Sequence, residues 1–175
     1  MIVNASPLII FSKIHRLDIL MDLCSALEIS KSVYSEVVIA GTEKNIAETR
    51  DVQSLIESRR ILLKELTDEF SSRSDKIRHV YCIDPGESDT LALCLQLRQK
   101  EIIIDERAAR LAALALGIKP TGSLGILLRA FHAASVSEPQ LHTYIEEIVN
   151  HGFRLSPSLI LEFWRIFDQI KSKKL

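Results

Sequence analysis

The sequence predicts an α/β fold in which a doubly wound parallel sheet is flanked by helices and extended by further helices at the C-terminus. Short apolar runs at Ile2-Val3 and Ile102-Ile103-Ile104 read as buried strands, Leu27-Glu28-Ile29 and Ile61-Leu62-Leu63 read as further short strands, and a stretch with helical spacing follows each of them. Strand and helix in alternation require crossover connections, which place the strands parallel. From about residue 137 onward only helical patterns remain. We therefore expect one domain over 1–175, with an α/β core to about 135 and C-terminal helices over about 137–175.

Each element has its local reason. Ser6-Pro7 starts a helix, because a serine oxygen accepts from the orphan amides and Pro is preset at the first helical position. The helical pattern continues to Leu23 with a break near His15. Ser30 caps a helix whose apolar stripe is Val33, Val37 and Val38, and Glu36 lies at the edge of that stripe. From Gly41 to Arg60 the chain is polar around Ile46, Val52, Leu55 and Ile56, the pattern of an exposed helix or a helical lid. Phe70-Ser71-Ser72-Arg73-Ser74-Asp75 reads as a Ser-rich loop. Asp84-Pro85-Gly86-Glu87 opens a long helix with Leu91, Ala92, Leu95 and Leu97 behind it. Glu106 to Leu116 is an Ala/Leu-rich helix stopped by Gly117, and the helix after Gly122-Ser123-Leu124-Gly125 runs through Phe131. Ser137 to Gln140 has capping-box spacing, and Ser156-Pro157 starts the last helix.

Composition limits the function classes. With 47% hydrophobic and 26% charged residues in 175, the chain can bury a core and is not disordered. A net charge of −1 advertises no nucleic acid, although an acidic pocket can still take one once cations reverse its charge. No run reaches the roughly 20 apolar residues that span a bilayer, and Met-Ile-Val-Asn carries no basic leader region, so no membrane association and a cytoplasmic location are expected. Cys24, Cys82 and Cys94 form no C-x-x-C pair and read as reduced, mostly buried thiols. The five histidines have no metal-ligand spacing. No glycine-rich phosphate loop follows a strand, which disfavours a phosphatase-like or nucleotide-binding protein. Tyr144, Ile148, Phe163, Trp164 and Phe167 spread large apolar groups over more than one helix face, from which a homodimer is expected.

The first and fourth strands end in oxygen-bearing side chains, Asn4 and Asp105, at the carboxyl edge where open α/β sheets build their sites. Glu36 and Glu87 occupy positions that could converge there. Hard divalent cations take oxygen ligands, and crowded carboxylates repel one another unless a cation or proton joins them, so this clustering points to a metal. Plainer roles exist for each acid. Glu87 can close a capping box with Asp84, Asp105 can cap the following helix, and Glu36 can be a surface acid.

In order, Asn4-Ala5-Ser6-Pro7-Leu8-Ile9, Val33-Tyr34-Ser35-Glu36-Val37, Asp84 to Leu93, Ile104-Asp105-Glu106-Arg107-Ala108-Ala109-Arg110, Gly122-Ser123-Leu124-Gly125 and Gly152-Phe153-Arg154-Leu155-Ser156 resemble the successive motifs of the PIN-domain nucleases, in particular a VapC-like subgroup of unknown function described as nucleic-acid-binding. The resemblance implies a PIN-like parallel sheet and a Mg2+- or Mn2+-dependent ribonuclease, many of whose relatives are toxins blocked by a protein antitoxin. It implies Glu36, Glu87 and Asp105 as catalytic acids and metal ligands, with Asn4 at the position of the strand-one acid. Ser123 matches a supporting hydroxyl. Ser6, Asp89 and Glu106 are further supporting candidates nearby. Arg107, Arg110 and Arg129 are candidates for holding RNA phosphates. Asn4 lacks the charge of an acid, so the alternative is a non-catalytic module that binds RNA or protein.

Overall fold

The structure is a computed structural model that describes residues 1–23, 26–43, 46 and 49–173. Its strands are β1 (Ile2–Val3), β2 (Leu27–Ser30), β3 (Ile61–Lys64), β4 (Glu101–Ile103) and β5 (Lys119–Thr121). They form one all-parallel sheet in the order β3-β2-β1-β4-β5, so the predicted fold class is borne out. Side chains alternate across a strand, and the two central strands feed two different cores. Val3 and Ile103 join the larger core with α1 (Ala5–Lys13), α2 (Leu17–Asp22), α9 (Ser123–His132), α10 (Glu138–Asn150) and α11 (Pro157–Ser172). Ile2, Ile102 and Ile104 face the smaller one, under α6 (Asp68–Tyr81), α7 (Pro85–Gln96) and α8 (Arg107–Ala115).

The expected break near His15 separates α1 from α2, with His15 at φ 52°. Ser30 caps α3 (Lys31–Tyr34) by accepting from Val33 N at 3.3 Å. That helix widens into a π turn, Ser35–Ile39, and narrows again into α4 (Ala40–Glu43). The polar stretch beyond contributes α5 (Thr49–Glu57).

The first helix begins earlier than expected: α1 starts at Ala5 with Asn4 as its N-cap, so Ser6 lies inside the helix and its hydroxyl donates to Glu106 instead of accepting from the first amides. Two further elements differ from expectation. The Ser-rich segment is not a loop but the middle of α6. Ser74 is buried there and its hydroxyl bridges to Ser88 Oγ at 3.0 Å and Asp89 Oδ1 at 2.6 Å, while Ser72 Oγ donates to Asp68 O within the helix. Serine's weak helix propensity is overridden by tertiary partners for its hydroxyl. The second difference is β5, hidden by Lys119 and Pro120. Proline removes one ladder donor, and an edge strand tolerates that loss on its open side.

The residues that prompted a homodimer are used within the chain. Tyr144, Ile148, Phe163 and Phe167 are all buried. Trp164 stacks on His142 at 4.3 Å and meets Phe163 and Phe167 edge-on. That apolar surface therefore supplies no ground for a second copy. Cys94 is buried and its thiol is pushed up to about 12 by loss of hydration, whereas Cys82 is exposed; Cys24 lies outside the described residues. Among the described residues no helix is long and apolar enough to cross a membrane.

Candidate functional site

The carboxyl edge of the central strands carries the acids. Asn4 follows β1 at the N-cap of α1 and is only 4% exposed. Its Oδ1 accepts from Thr90 Oγ1 of α7 at 3.1 Å, so the amide is tied to a neighbouring helix. Asp105 and Glu106 follow β4 and diverge. Asp105 turns toward α9, taking the Ser123 backbone N–H at 2.7 Å on Oδ1 and the Ser123 hydroxyl at 2.6 Å on Oδ2. Gly122 makes this approach possible. A Cβ there would stand 2.9 Å from Asp105 Oδ1 and 2.6 Å from an Arg110 guanidinium nitrogen. Glu106 turns the other way, to α1, where the Ser6 hydroxyl donates to its Oε1. Its Oε2 is buried and has no hydrogen-bond partner among the described residues.

Glu36 reaches this edge from the π turn. Its Oε2 lies 3.3 Å from where a Cβ on Gly86 would stand, so the carboxylate faces the first turn of α7, the positive end of that helix. π turns add a residue to one helical loop and recur where a side chain must be re-aimed. Glu87 is buried in the first turn of α7 and closes a capping box with Asp84, accepting from Asp84 N at 3.0 Å on Oε2. The plainer reading of Glu87 is thus also present, and its other oxygen lies outside the cap.

These carboxylates feel one another. Burial is the main cause that raises Glu36 above the ordinary carboxylate range, and the charges of Glu106 and Asp84 raise it further. Glu87 is raised by burial, against the opposing Asp84 hydrogen bond, with Glu106, Asp84 and Glu36 adding to it. Asp105 is raised by burial and by Glu106, against the Ser123 bonds and Arg110. Each shift has the sign expected of carboxyls taken out of water, with neighbouring acids adding to it.

The remaining candidates scatter. Asp89 is held by Ser74 between α6 and α7. Arg129 bonds Glu101 at 3.2 Å and Thr121 Oγ1 at 2.9 Å, and Glu101 is the first residue of β4, at the end away from the acids. Arg107 and Arg110 stay with the acids: with Ser6, Asp105, Glu106 and Ser123 they line a cleft of about 950 Å³ that runs toward α11. Arg154, from the Gly-Phe-Arg-Leu-Ser motif, lines the same cleft and was not singled out by sequence; its motif was the available signal.

The donor set suits a hard divalent cation, since every candidate ligand is an oxygen and Glu106 keeps a buried oxygen unpartnered. Among the described residues, no three His, Cys, Asp or Glu side chains are grouped so as to hold a metal ion.

A parallel α/β sheet with acids gathered beyond the carboxyl ends of its central strands defines a class of acid-edged α/β proteins. Within that class, a family model described as a PIN domain matches residues 1–169, and the chain belongs to the PIN-domain family. Membership makes it a nuclease-type, nucleic-acid-related module of a family that generally uses divalent metal ions. Among curated proteins and solved structures, none matches this chain.

Proposed function

We propose that this protein is a cytoplasmic endoribonuclease dependent on Mg2+ or Mn2+, formed as one module over 1–175, and that it is a toxin held in check by a protein antitoxin. The observation that carries the nuclease reading is the buried, unpartnered Glu106 Oε2 beside Glu36 and Glu87, whose carboxyls its charge raises. An uncompensated carboxylate oxygen in that setting is costly, and a cation removes the cost. Glu36, Glu87 and Asp105 are the acids of the site, and Glu106 joins them. It supplies the negative charge that Asn4 lacks. The bound cation would polarise the scissile phosphate and activate a water for in-line attack. Ser123 fixes Asp105, Ser6 orients Glu106, and Arg107 and Arg110 draw phosphates to the edge.

The test pairs Mn2+ calorimetry with cleavage of a labelled RNA. Glu106→Gln removes one ligand charge and should weaken Mn2+ binding about tenfold or more, with loss of cleavage. An unchanged Mn2+ affinity in Glu106→Gln would sink the proposal. One observation favours a second reading, a binding-only module: Asn4 is buried and its amide oxygen is engaged by Thr90. RNA cleavage by Asn4→Asp but not by the wild type would select it.

A further inference from the structure

The cleft beside Asp105 and Glu106 does not end at the acids. It continues past Arg110 and Gly122 to the connector between α10 and α11, where Phe153, Arg154 and Leu155 form its far wall. Its floor is apolar, built from Ile10, Leu128 and Phe163 among others. Its volume, about 950 Å³, lies within the range of pockets that enclose an organic ligand. Beyond Asp105 and Glu106 the charged groups lining it are Arg107, Arg110 and Arg154 against a single acid, Glu162. Arg107 and Arg154 have no hydrogen bond or ion pair among the described residues, and Lys13 Nζ lies over the Phe153 ring at 5.4 Å from the centroid. The acid on the α11 side, Glu162, is already paired with Arg165 at 2.6 Å.

From this we infer that the cleft holds the nucleotides flanking the scissile phosphate of a single-stranded RNA, with Arg154 taking a phosphate and Phe153 a base, so that the 153–155 connector determines sequence preference at the cutting site. This rests on the nuclease reading for its direction and deepens it. The chemistry is that of single-strand recognition, in which cations follow the backbone and an aromatic or apolar wall accepts a base. A duplex keeps its bases stacked inside and would offer this apolar floor nothing. An apolar peptide would match the floor but would leave Arg107 and Arg154 unanswered, and the salt dependence below distinguishes the two.

The experiment is binding of a labelled ten-nucleotide RNA in EDTA, followed by anisotropy from about 50 to 200 mM salt. EDTA removes turnover, so the result does not depend on whether the acids cut. Arg154→Ala, at an exposed position, should reduce the slope of log affinity against log salt by about 0.7, the value for one phosphate contact on a single strand. Arg60→Ala, just before β3 at the opposite end of the sheet, should leave the slope unchanged. An abasic oligonucleotide should bind the wild type roughly five- to hundredfold more weakly than the intact one, and Phe153→Ala should lose that discrimination. Circular dichroism checks that Phe153→Ala folds, and the Arg154 slope decides alone if it does not. An unchanged slope in Arg154→Ala, or a duplex bound as well as the single strand, overturns the inference while leaving the nuclease reading standing. Loss of cleavage in Glu106→Gln leaves the inference untouched, because its readout is binding without the cation.

Discussion

Replacing Asp105 in two ways separates its charge from its hydrogen bonds. Asp105 accepts two bonds from Ser123, at 2.7 Å from the backbone and 2.6 Å from the hydroxyl, and Ser123 itself is 3% exposed. Bonds to a charged group are each worth about 1.5–3 kcal/mol, so Asp105→Ala, which also orphans a buried N–H, should cost about 3–5 kcal/mol. Asp105→Asn is nearly isosteric. Its Oδ1 still accepts the Ser123 N–H, and its amide N–H donates to the Ser123 oxygen, so both bonds survive in neutral form and the loss should be about 1 kcal/mol. Urea midpoints at fixed m-value, in EDTA, measure both numbers. If Asp105 is a ligand as proposed, the Asn form stays folded yet loses Mn2+-dependent cleavage. An Asn form as unstable as the Ala form would refute the hydrogen-bond argument, and an Asn form that cleaves normally would reduce Asp105 to a strut between β4 and α9.

Further outcomes follow from the same geometry. Glu36 and Glu87 have folded-state pKa values raised above their ordinary 4.5, so the native state binds protons more tightly than the unfolded chain, and stability in EDTA should fall as pH rises from about 4.5 through the raised values. Asp105, raised from 3.8, adds the same sign, and a thermal melt with Mn2+ should flatten the decline; a melt that rises over that window would contradict the clustering. Asn4→Asp adds a fifth acid beside Glu36, Glu87, Asp105 and Glu106 and should lower stability in EDTA by about 1–3 kcal/mol while tightening Mn2+ binding, measured by melts and calorimetry on one preparation. Gly122→Ala would set a methyl 2.6 Å from an Arg110 guanidinium nitrogen and 2.9 Å from Asp105 Oδ1, and should cost about 1–3 kcal/mol and uncouple Asp105 from Ser123, read as faster hydrogen exchange of the Ser123 amide than in the wild type. Ser74→Ala should cost about 1–2 kcal/mol through the loss of its bonds to Ser88 and Asp89 and leave Mn2+ binding unchanged, since Asp89 serves the α6–α7 packing.

How far the sequence could be read depends on whether the deciding contact is local. Apolar run length revealed β1 and β4, where burial on both faces writes itself into consecutive residues, and β3 was legible from Ile61-Leu62-Leu63 although Leu63 at the sheet edge is exposed. The capping boxes at Asp84 and Ser137 were equally legible, being contacts three residues apart. By contrast, α6 owes its place to Ser74 meeting Ser88 and Asp89, fourteen and fifteen residues on, and no window on the Ser-rich segment contains those partners. The site divides in the same way. That acids stand at the carboxyl edge follows from the strand ends. Which of two adjacent acids serves which neighbour does not, since Asp105 and Glu106 differ by one position on a chain that has just left a strand. Their division of labour is set by α9 and α1, which offer Ser123 to one and Ser6 to the other. Asn4 then takes on a different weight. Read alone, it is a missing charge at the end of β1; on the proposed reading, Glu106, with its unmatched oxygen at the same edge, supplies that charge from the exit of β4. A cation responds to the total charge and its distance more than to which strand supplies it. On the proposed reading the double change Asn4→Asp with Glu106→Gln, which keeps the total charge and places it at the end of β1, should recover Mn2+ binding that Glu106→Gln alone loses; a double variant that binds no better than Glu106→Gln would refute the exchange.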